Sequence, residues 1–205
     1  MIEQLKKYND MFIKNKSYGD ELKDNIFEFC DKSSNLIISA PHSTRSFCNK
    51  KEKSSDLYTG AIVKYLGEVN GISTITRNKF VPYKALISDY ITDNKLQNHY
   101  FLDVHGFNQQ IDYDICLGIG TFSAKNYPYV KEIFNIIKTF GLNPVINYPK
   151  YTGKLGLTGR YQKKYSKPNV IQIELTQYLR DFLHNSDVFQ KKTLPMFNEI
   201  INLYK

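Results

Sequence analysis

The chain has 205 residues, of which 41% are apolar and 14% are aromatic. This length and composition predict one globular domain with a sizeable core and exclude a disordered chain. Lys and Arg outnumber Asp and Glu by 28 to 20, which gives a net charge of +8. The basic residues are scattered, and no segment interleaves them with aromatic residues as single-strand nucleic-acid surfaces do. We therefore do not expect a nucleic-acid partner.

The location of the protein is predicted from what the sequence lacks. No apolar run approaches the roughly 18 residues of a membrane span. The first residues have no apolar stretch of the kind found in signal peptides, so we expect a cytoplasmic protein. The cysteines, Cys30, Cys48 and Cys116, are odd in number and fit neither a zinc knuckle nor a redox pair. We expect them to be free thiols.

Hydrophobic periodicity predicts an alternation of strands and helices along the chain. In chain order, the patterns predict an edge strand over residues 24–31, a buried strand over 36–40, and further strands over 72–76, 101–105, 112–120, 144–148 and 170–175. They predict helices over 1–20, from 54–56 to 69, over 123–140 and, closing the chain, over 186–204. The segments between them are a polar loop over 43–53, an irregular loop over 78–98 and a Gly- and Lys-rich connection over 149–168. This alternation is typical of an α/β protein. We expect one domain over residues 1–205, with residues 1–20 as an N-terminal helical extension.

Three of the buried-type strands lead to an ionisable side chain near their ends. Pro41 stops the first of them, so that His42 follows directly; the second runs into His105, and the third carries Glu174. Because ligands of an open α/β sheet gather at the carboxyl ends of the strands, these side chains could meet at one rim. Two histidines and a carboxylate suit a catalytic zinc ion that keeps one position open for water. A further carboxylate would serve as the general base.

Three carboxylates are candidates for this site. Asp56, at the predicted helix start, is a candidate metal ligand, with capping of the helix as the alternative. Glu174 could also be a ligand, but a strand-borne Glu opposite two histidines is better placed as the base. Asp103 lies two residues before His105 and therefore on the same side of the strand. It could orient His105 by accepting its second ring N–H, or it could make an ordinary structural hydrogen bond.

Four short motifs occur along the chain in an order that indicates a family resemblance. They are Ala40-Pro41-His42-Ser43, Asp56-x-x-Thr59, Asp103-x-His105-Gly106 and Ile171-Gln172-Ile173-Glu174-Leu175. Together they resemble the N-formylglutamate amidohydrolase family, which belongs to a wider zinc carboxypeptidase-like superfamily, and the resemblance spans about residues 36–180. It implies a three-layer α/β/α domain with a central mixed, mostly parallel sheet. It also implies a Zn²⁺-dependent hydrolase that cleaves an amide near a carboxylate, with His42 and His105 on the metal and Glu174 as the catalytic residue.

The sequence departs from the carboxypeptidase relatives at one position. Three residues after the first metal histidine, where those relatives carry a metal-binding carboxylate, this chain has Arg45. Either Asp56 replaces that ligand, or the site is altered or lost. An amide substrate with a free carboxylate calls for a guanidinium clamp, and Arg160 and Arg77 are the first candidates, followed by Arg45. Arg180 is expected at the surface, beyond the site.

Two other classes of function stay open at this point. A serine hydrolase would use Ser39 or Ser43 as nucleophile and His105 as base, although no G-x-S-x-G turn is present. A non-catalytic polyanion-binding domain on a degenerate hydrolase fold is favoured by the charge of +8 and by Arg45. For an enzyme, the expected partner is a small acidic amide, such as N-formylglutamate or another N-acyl amino acid, or a γ-glutamyl or peptide substrate.

Overall fold

A mixed sheet forms the centre of the structure, a computed structural model that describes residues 1–48, 50–108 and 111–205. The strands are β1 (Phe27–Cys30), β2 (Leu36–Ala40), β3 (Ser46–Cys48), β4 (Lys51–Lys53), β5 (Ser73–Arg77), β6 (Tyr100–Phe107), β7 (Ile115–Gly118), β8 (Pro144–Ile146) and β9 (Val170–Thr176). Seven of them form one sheet in the order β1-β5-β2-β6-β9-β7-β8, while β3 and β4 form a separate hairpin. The β1–β5 and β7–β9 pairs are antiparallel and the other pairs in the sheet are parallel. The expected α/β fold with a central mixed, mostly parallel sheet is therefore confirmed.

Helices cover both faces of this sheet. They are α1 (Ile2–Ser17), α2 (Thr59–Asn70), α3 (Ile87–Asp93), α4 (Val130–Thr139), α5 (Leu157–Tyr165), α6 (Gln177–Arg180), α7 (Ser186–Val188) and α8 (Leu194–Asn202), with a 3₁₀ turn at Ala124–Asn126 and a π-helical turn at Phe189–Thr193 between α7 and α8. Within the described ranges, none of these helices has the length and apolar character needed to cross a membrane.

Two hydrophobic cores hold the layers together, one on each face of the sheet. The larger core joins the sheet to α1, α2, α4 and α8. The smaller core contains Phe101 of β6, Ile91 of α3 and Tyr161 of α5. Because side chains alternate between the faces of a strand, Asp103 and His105 share the face of Phe101. The smaller core thus supports the face of the sheet that carries the candidate site.

Two helices lie in segments that the sequence predicts to be irregular. α3 falls within residues 78–98, and α5 falls within residues 149–168. Each contributes only two or three residues at i, i+4 spacing to the smaller core, Ile87 and Ile91 from α3 and Leu157, Tyr161 and Tyr165 from α5. Two or three such residues are too short a pattern for periodicity to reveal a helix. Both predictions were wrong, and the two missed helices form the third layer.

Two predicted helix starts were also wrong. α2 begins at Thr59 and not at residues 54–56, because Tyr58 before it has a left-handed backbone (φ 74) and no described side chain caps the helix. The alternative role of Asp56 as a helix cap is therefore excluded. α4 begins at Val130 and not at residue 123, since Pro128 holds the residue before it in an extended conformation.

Candidate metal centre and active site

The carboxyl ends of β2, β6 and β9 bring three of the predicted site residues together. These strands are parallel neighbours, so their carboxyl ends lie at one edge of the sheet. His105 of β6 and Glu174 of β9 are register partners. His42 follows the end of β2, and its ring centroid lies 5.1 Å from that of His105.

Both ring nitrogens of His105 face carboxylates. Nε2 lies 2.9 Å from Oδ2 of Asp103, an ordinary hydrogen-bond length. Nδ1 lies 3.3 Å from Oδ2 of Asp56, which is long for a hydrogen bond. Two ligands that are each about 2.0–2.1 Å from a tetrahedral zinc ion stand about 3.3–3.4 Å apart. Asp103 is therefore placed to orient the ring, and Asp56 stands at the spacing of a second ligand.

Electrostatic interactions determine the charge states of His105 and Asp56. Burial alone would lower the pKa of His105, but Asp103, Asp56 and Glu174 outweigh burial and raise that pKa to about 10. Burial likewise opposes ionisation of Asp56, yet its hydrogen bond to His105 and the charge of Lys53 hold its pKa far below the usual range. Without a metal ion, the site contains an imidazolium between two carboxylates.

The β3–β4 hairpin positions His42. This hairpin lies within residues 43–53, which the sequence predicts to be a polar loop. Asn49 of that segment lies outside the described residues. Oγ of Ser46 lies 2.9 Å from Nδ1 of His42, so Nε2 is the nitrogen left for a metal. Lys53, at the end of the hairpin, places its ammonium 3.5 Å from Oδ1 of Asp56. Burial and the charge of Lys53 lower the pKa of His42 well below its usual value, which favours the neutral, metal-binding form.

The donor set can be tested against zinc. Two imidazoles and one carboxylate are a known ligand set for catalytic zinc, and the spacing of His105 and Asp56 fits two positions on one ion. Within the described ranges, however, no three His, Cys, Asp or Glu side chains converge into a preformed metal site. The residues fit zinc by donor chemistry and by the spacing of one pair, and His42 is the third donor beside them.

Glu174 has two neighbours, Gln172 and Cys116, that the sequence did not predict as part of the site. Oε1 of Glu174 accepts a hydrogen bond of 2.7 Å from Nε2 of Gln172, two residues earlier on the same strand. Its register partner on the other side is Cys116, whose thiol pKa is raised to about 12 by burial and by Glu174. Burial also raises the pKa of Glu174, against the opposing charge of His105. The spacing of Gln172 from Glu174 repeats that of Asp103 from His105, a signal that could have identified it.

A cavity of about 220 Å³ opens beside the two histidines. Its walls are mostly apolar and include Phe27, Leu86 and Leu157, and both Arg77 and Arg160 line it. Arg160 is partly exposed, and no described residue hydrogen-bonds or pairs with its guanidinium. It is therefore available to a ligand in this cavity.

Arg77 is fixed in the wall of the same cavity. It is 3% exposed, and its guanidinium donates from Nε to the carbonyl of Pro41 at 3.0 Å and from Nη2 to that of Ala85 at 2.7 Å. Nη1 is buried and has no hydrogen-bond partner among the described residues. Burial lowers the pKa of Arg77 to about 10, which leaves it charged at neutral pH.

Arg45 and Arg180 lie outside this cavity. Arg45 pairs with Glu52 and lines a second cavity together with Arg180. The prediction that Arg180 is a surface residue was wrong, because its guanidinium packs on the backbone of Gly106 and is tied to Leu57 and Asn108. Glycine at position 106 leaves room for it, since a Cβ there would lie 2.4 Å from Nε of Arg180.

The geometry disfavours a serine nucleophile. Ser39 is fully buried and donates a 2.6 Å hydrogen bond to Asp103. Ser43 donates to the carbonyls of Ala40 and Arg77. Neither hydroxyl reaches His105, whose two nitrogens both face carboxylates.

Comparison with solved structures identifies the fold that carries this site. N-formylglutamate amidohydrolase from Ralstonia eutropha JMP134 matches 86% of this chain and 97% of its own, with a TM-score of 0.56 and 13% identity. A bacteriophage poly-γ-glutamate hydrolase matches 76% of this chain and 73% of its own, with a TM-score of 0.51 and 13% identity. The chain has the fold of these two proteins. A gene product of Agrobacterium tumefaciens matches it over 92% of this chain and 98% of its own, with a TM-score of 0.53 and 10% identity.

Sequence comparison adds no closer relative. No family model matches the chain, and no curated protein matches it. At 10–13% identity, the structural likeness extends to the hydrolase fold alone.

Proposed function

We propose that the chain is a zinc-dependent hydrolase of amide bonds that lie near a carboxylate. The observation that carries this proposal is the setting of His105, with Asp56 at ligand spacing on one nitrogen and Asp103 hydrogen-bonded to the other. His42, Asp56 and His105 would hold the ion, which when bound makes water acidic and polarises the substrate carbonyl. The hydrolase fold supports this function.

Asp103 and Ser46 fix the two histidine rings. Asp103 is fully buried and accepts the N–H of Nε2 of His105, so Nδ1 is the ligating nitrogen. Ser39 in turn donates to Asp103 and holds it in place. Carboxylates in this position raise the basicity of a ligating imidazole.

Glu174 is the proposed general base. Its carboxylate takes a proton from the attacking water and then delivers a proton to the leaving nitrogen as the carbonyl C–N bond breaks. Burial raises its pKa, which brings its proton affinity nearer to neutral pH than that of an exposed Glu. The hydrogen bond from Gln172 limits its rotation.

Arg77 and Arg160 are proposed to bind the carboxylate on the amine side of the scissile amide. Both line the cavity beside the histidines, which is large enough for a small amino-acid group. Arg77 supplies a fixed positive charge in the cavity wall, while Arg160, which is partly exposed, can adjust to the ligand. This pair favours acidic amides such as N-formylglutamate, other N-acyl amino acids, or γ-glutamyl and peptide substrates.

Metal analysis tests the proposal directly. Protein purified without chelators should contain about one zinc ion per chain and should hydrolyse at least one member of a panel of N-acyl amino acids and γ-glutamyl amides. H42A and H105A should lose both the metal and the activity, whereas H184A, which changes a histidine with 77% of its side chain exposed, should keep both. A wild-type protein that stays metal-free and inactive after addition of zinc would contradict the proposal.

A further inference from the structure

A second cavity of about 220 Å³, here called the arginine pocket, adjoins the candidate site. Its polar lining includes Arg45, Arg180, Ser54, Ser55, Asn108 and Gln177, and none of the described residues that line it is acidic. It shares no lining residue with the cavity beside the histidines. The site is therefore bordered by two separate openings, each with two arginines.

The chain segments that carry the site residues also build the arginine pocket. Arg45 lies three residues after His42, Ser55 directly precedes Asp56, Asn108 lies three residues after His105, and Gln177 lies three residues after Glu174. Each segment thus contributes one residue to the site and another to the pocket. A ligand in the pocket would lie next to the groups that hold the reacting amide.

Arg180 brings a buried positive charge to this pocket. It is 2% exposed, and its terminal nitrogens donate to the carbonyl of Leu57, at 2.7 Å, and to the side chain of Asn108. Its Nε is buried and has no hydrogen-bond partner among the described residues, and none of their carboxylates lies within ion-pair distance. Asp56, Glu174 and Asp181 stabilise this charge only in part, because burial still lowers the pKa of Arg180. A buried guanidinium without an ion pair is costly, and an anion in the adjoining pocket would offset the rest of that cost.

Contacts with Lys16, Glu52 and Tyr18 fix the side chain of Arg45 at the same pocket. Its Nε donates to the carbonyl of Lys16 at 2.8 Å, its Nη1 pairs with Glu52, and its guanidinium lies 5.2 Å from the centre of the Tyr18 ring. These contacts leave Nη2 as a donor without a partner among the described residues. Guanidinium groups with neighbouring hydroxyl and amide groups form a setting that suits a carboxylate.

We propose that the arginine pocket binds a second carboxylate of the substrate, on the acyl side of the scissile amide. This inference rests on the proposed function and narrows its substrate class to amides with a carboxylate on each side of the bond. Arg77 and Arg160 then bind the amine-side carboxylate, and Arg45 and Arg180 bind the acyl-side one. A substrate with only one carboxylate leaves the arginine pocket without its anion.

Kinetics with a matched pair of substrates tests this role. N-succinylglutamate has carboxylates on both sides of its amide, and N-succinamoylglutamate has an uncharged carboxamide in place of the acyl-side carboxylate. For the zinc-loaded wild type, kcat/KM should be at least about tenfold higher for the diacid, as expected when a charge-assisted hydrogen bond is lost. R45M should abolish this preference, and K51M, which removes an exposed charge from the same hairpin, should keep it. Equal preference in the wild type and R45M, or no preference in the wild type, would overturn the proposal.

A crystallographic measurement tests the pocket without relying on activity. Crystals of the zinc-free protein soaked in sodium selenate should show an anomalous selenium peak between Arg45 and Arg180, and crystals of R45M should not. An arginine pocket without selenate would overturn the proposal even in an active enzyme. An occupied pocket in a protein that hydrolyses no amide would mean that the proposed function fails, and with it the substrate role of the anion site.

Discussion

His105 and Glu174 are register partners on the adjacent parallel strands β6 and β9, so their side chains emerge side by side on one face of the sheet. This pairing sets the candidate metal ligand next to the candidate base without any contribution from a loop. Sites carried by strands are held more rigidly than sites carried by loops. The relative position of His105 and Glu174 at the carboxyl edge of the sheet therefore depends on the register of β6 and β9.

Glu174→Gln should remove the base and leave the fold and the metal ligands intact. The amide keeps the size of the side chain but cannot take a proton, so kcat/KM should fall by about 10²–10⁴. The zinc content should stay at the wild-type level. Glu132→Gln, an exposed change on α4, is the matched control and should have wild-type activity. An E174Q variant within tenfold of wild-type activity would exclude Glu174 as the base.

Sequence patterns predicted the site strands well because nearly all residues of those strands are buried. The bounds of β2, Leu36–Ala40, agree with the prediction, since a mostly apolar run ends at a proline. The patterns failed where a residue's role is set by the rest of the fold. The buried position of Arg180 depends on the space above Gly106, and the approach of Lys53 to Asp56 depends on a hairpin in a polar segment. Neither relationship leaves a periodic trace in the sequence.

The Asp→Asn substitution should affect zinc affinity differently at Asp56 and at Asp103. Asp56→Asn should remove zinc, because the amide cannot replace a charged ligand beside His105. Asp103→Asn should keep a weaker site, with a zinc affinity about 10–100-fold lower, because it acts through the orientation of His105. Competition with a chromophoric chelator measures both affinities. If D56N binds zinc as tightly as the wild type, Asp56 is not the third ligand.

The stability of the zinc-free protein should fall as the pH rises from about 6.5 to about 10. His105 has a pKa of about 10 in the folded chain, against 6.5 for an unperturbed histidine. A pKa raised by folding contributes stability that is fully present below the unfolded value and is lost as the pH rises through the folded value. Thermal unfolding in the presence of a chelator, measured across this range, should show the loss. H105Q should lack this decline in Tm, and H184Q should retain it; a wild-type Tm that is constant over the range would contradict the assignment of charge to His105.

Zinc binding near pH 6 should release about one proton per site, because a zinc-bound water with a pKa of about 7 is still mostly protonated there. In the zinc-free protein, Asp103 and Asp56 hold a proton on each nitrogen of His105, and the metal must displace the one on Nδ1. The hydrogen bond to Asp103 keeps the other proton in place. Isothermal titration in two buffers of different ionisation enthalpy measures the number of protons released. The affinity for zinc should then rise about tenfold per pH unit between about pH 5 and 6, because one proton competes with the metal, and more steeply above about pH 7, where the bound water also ionises. A binding enthalpy that is independent of the buffer would show that His105 is already neutral, and the charge arrangement at this edge of the sheet would have to be revised.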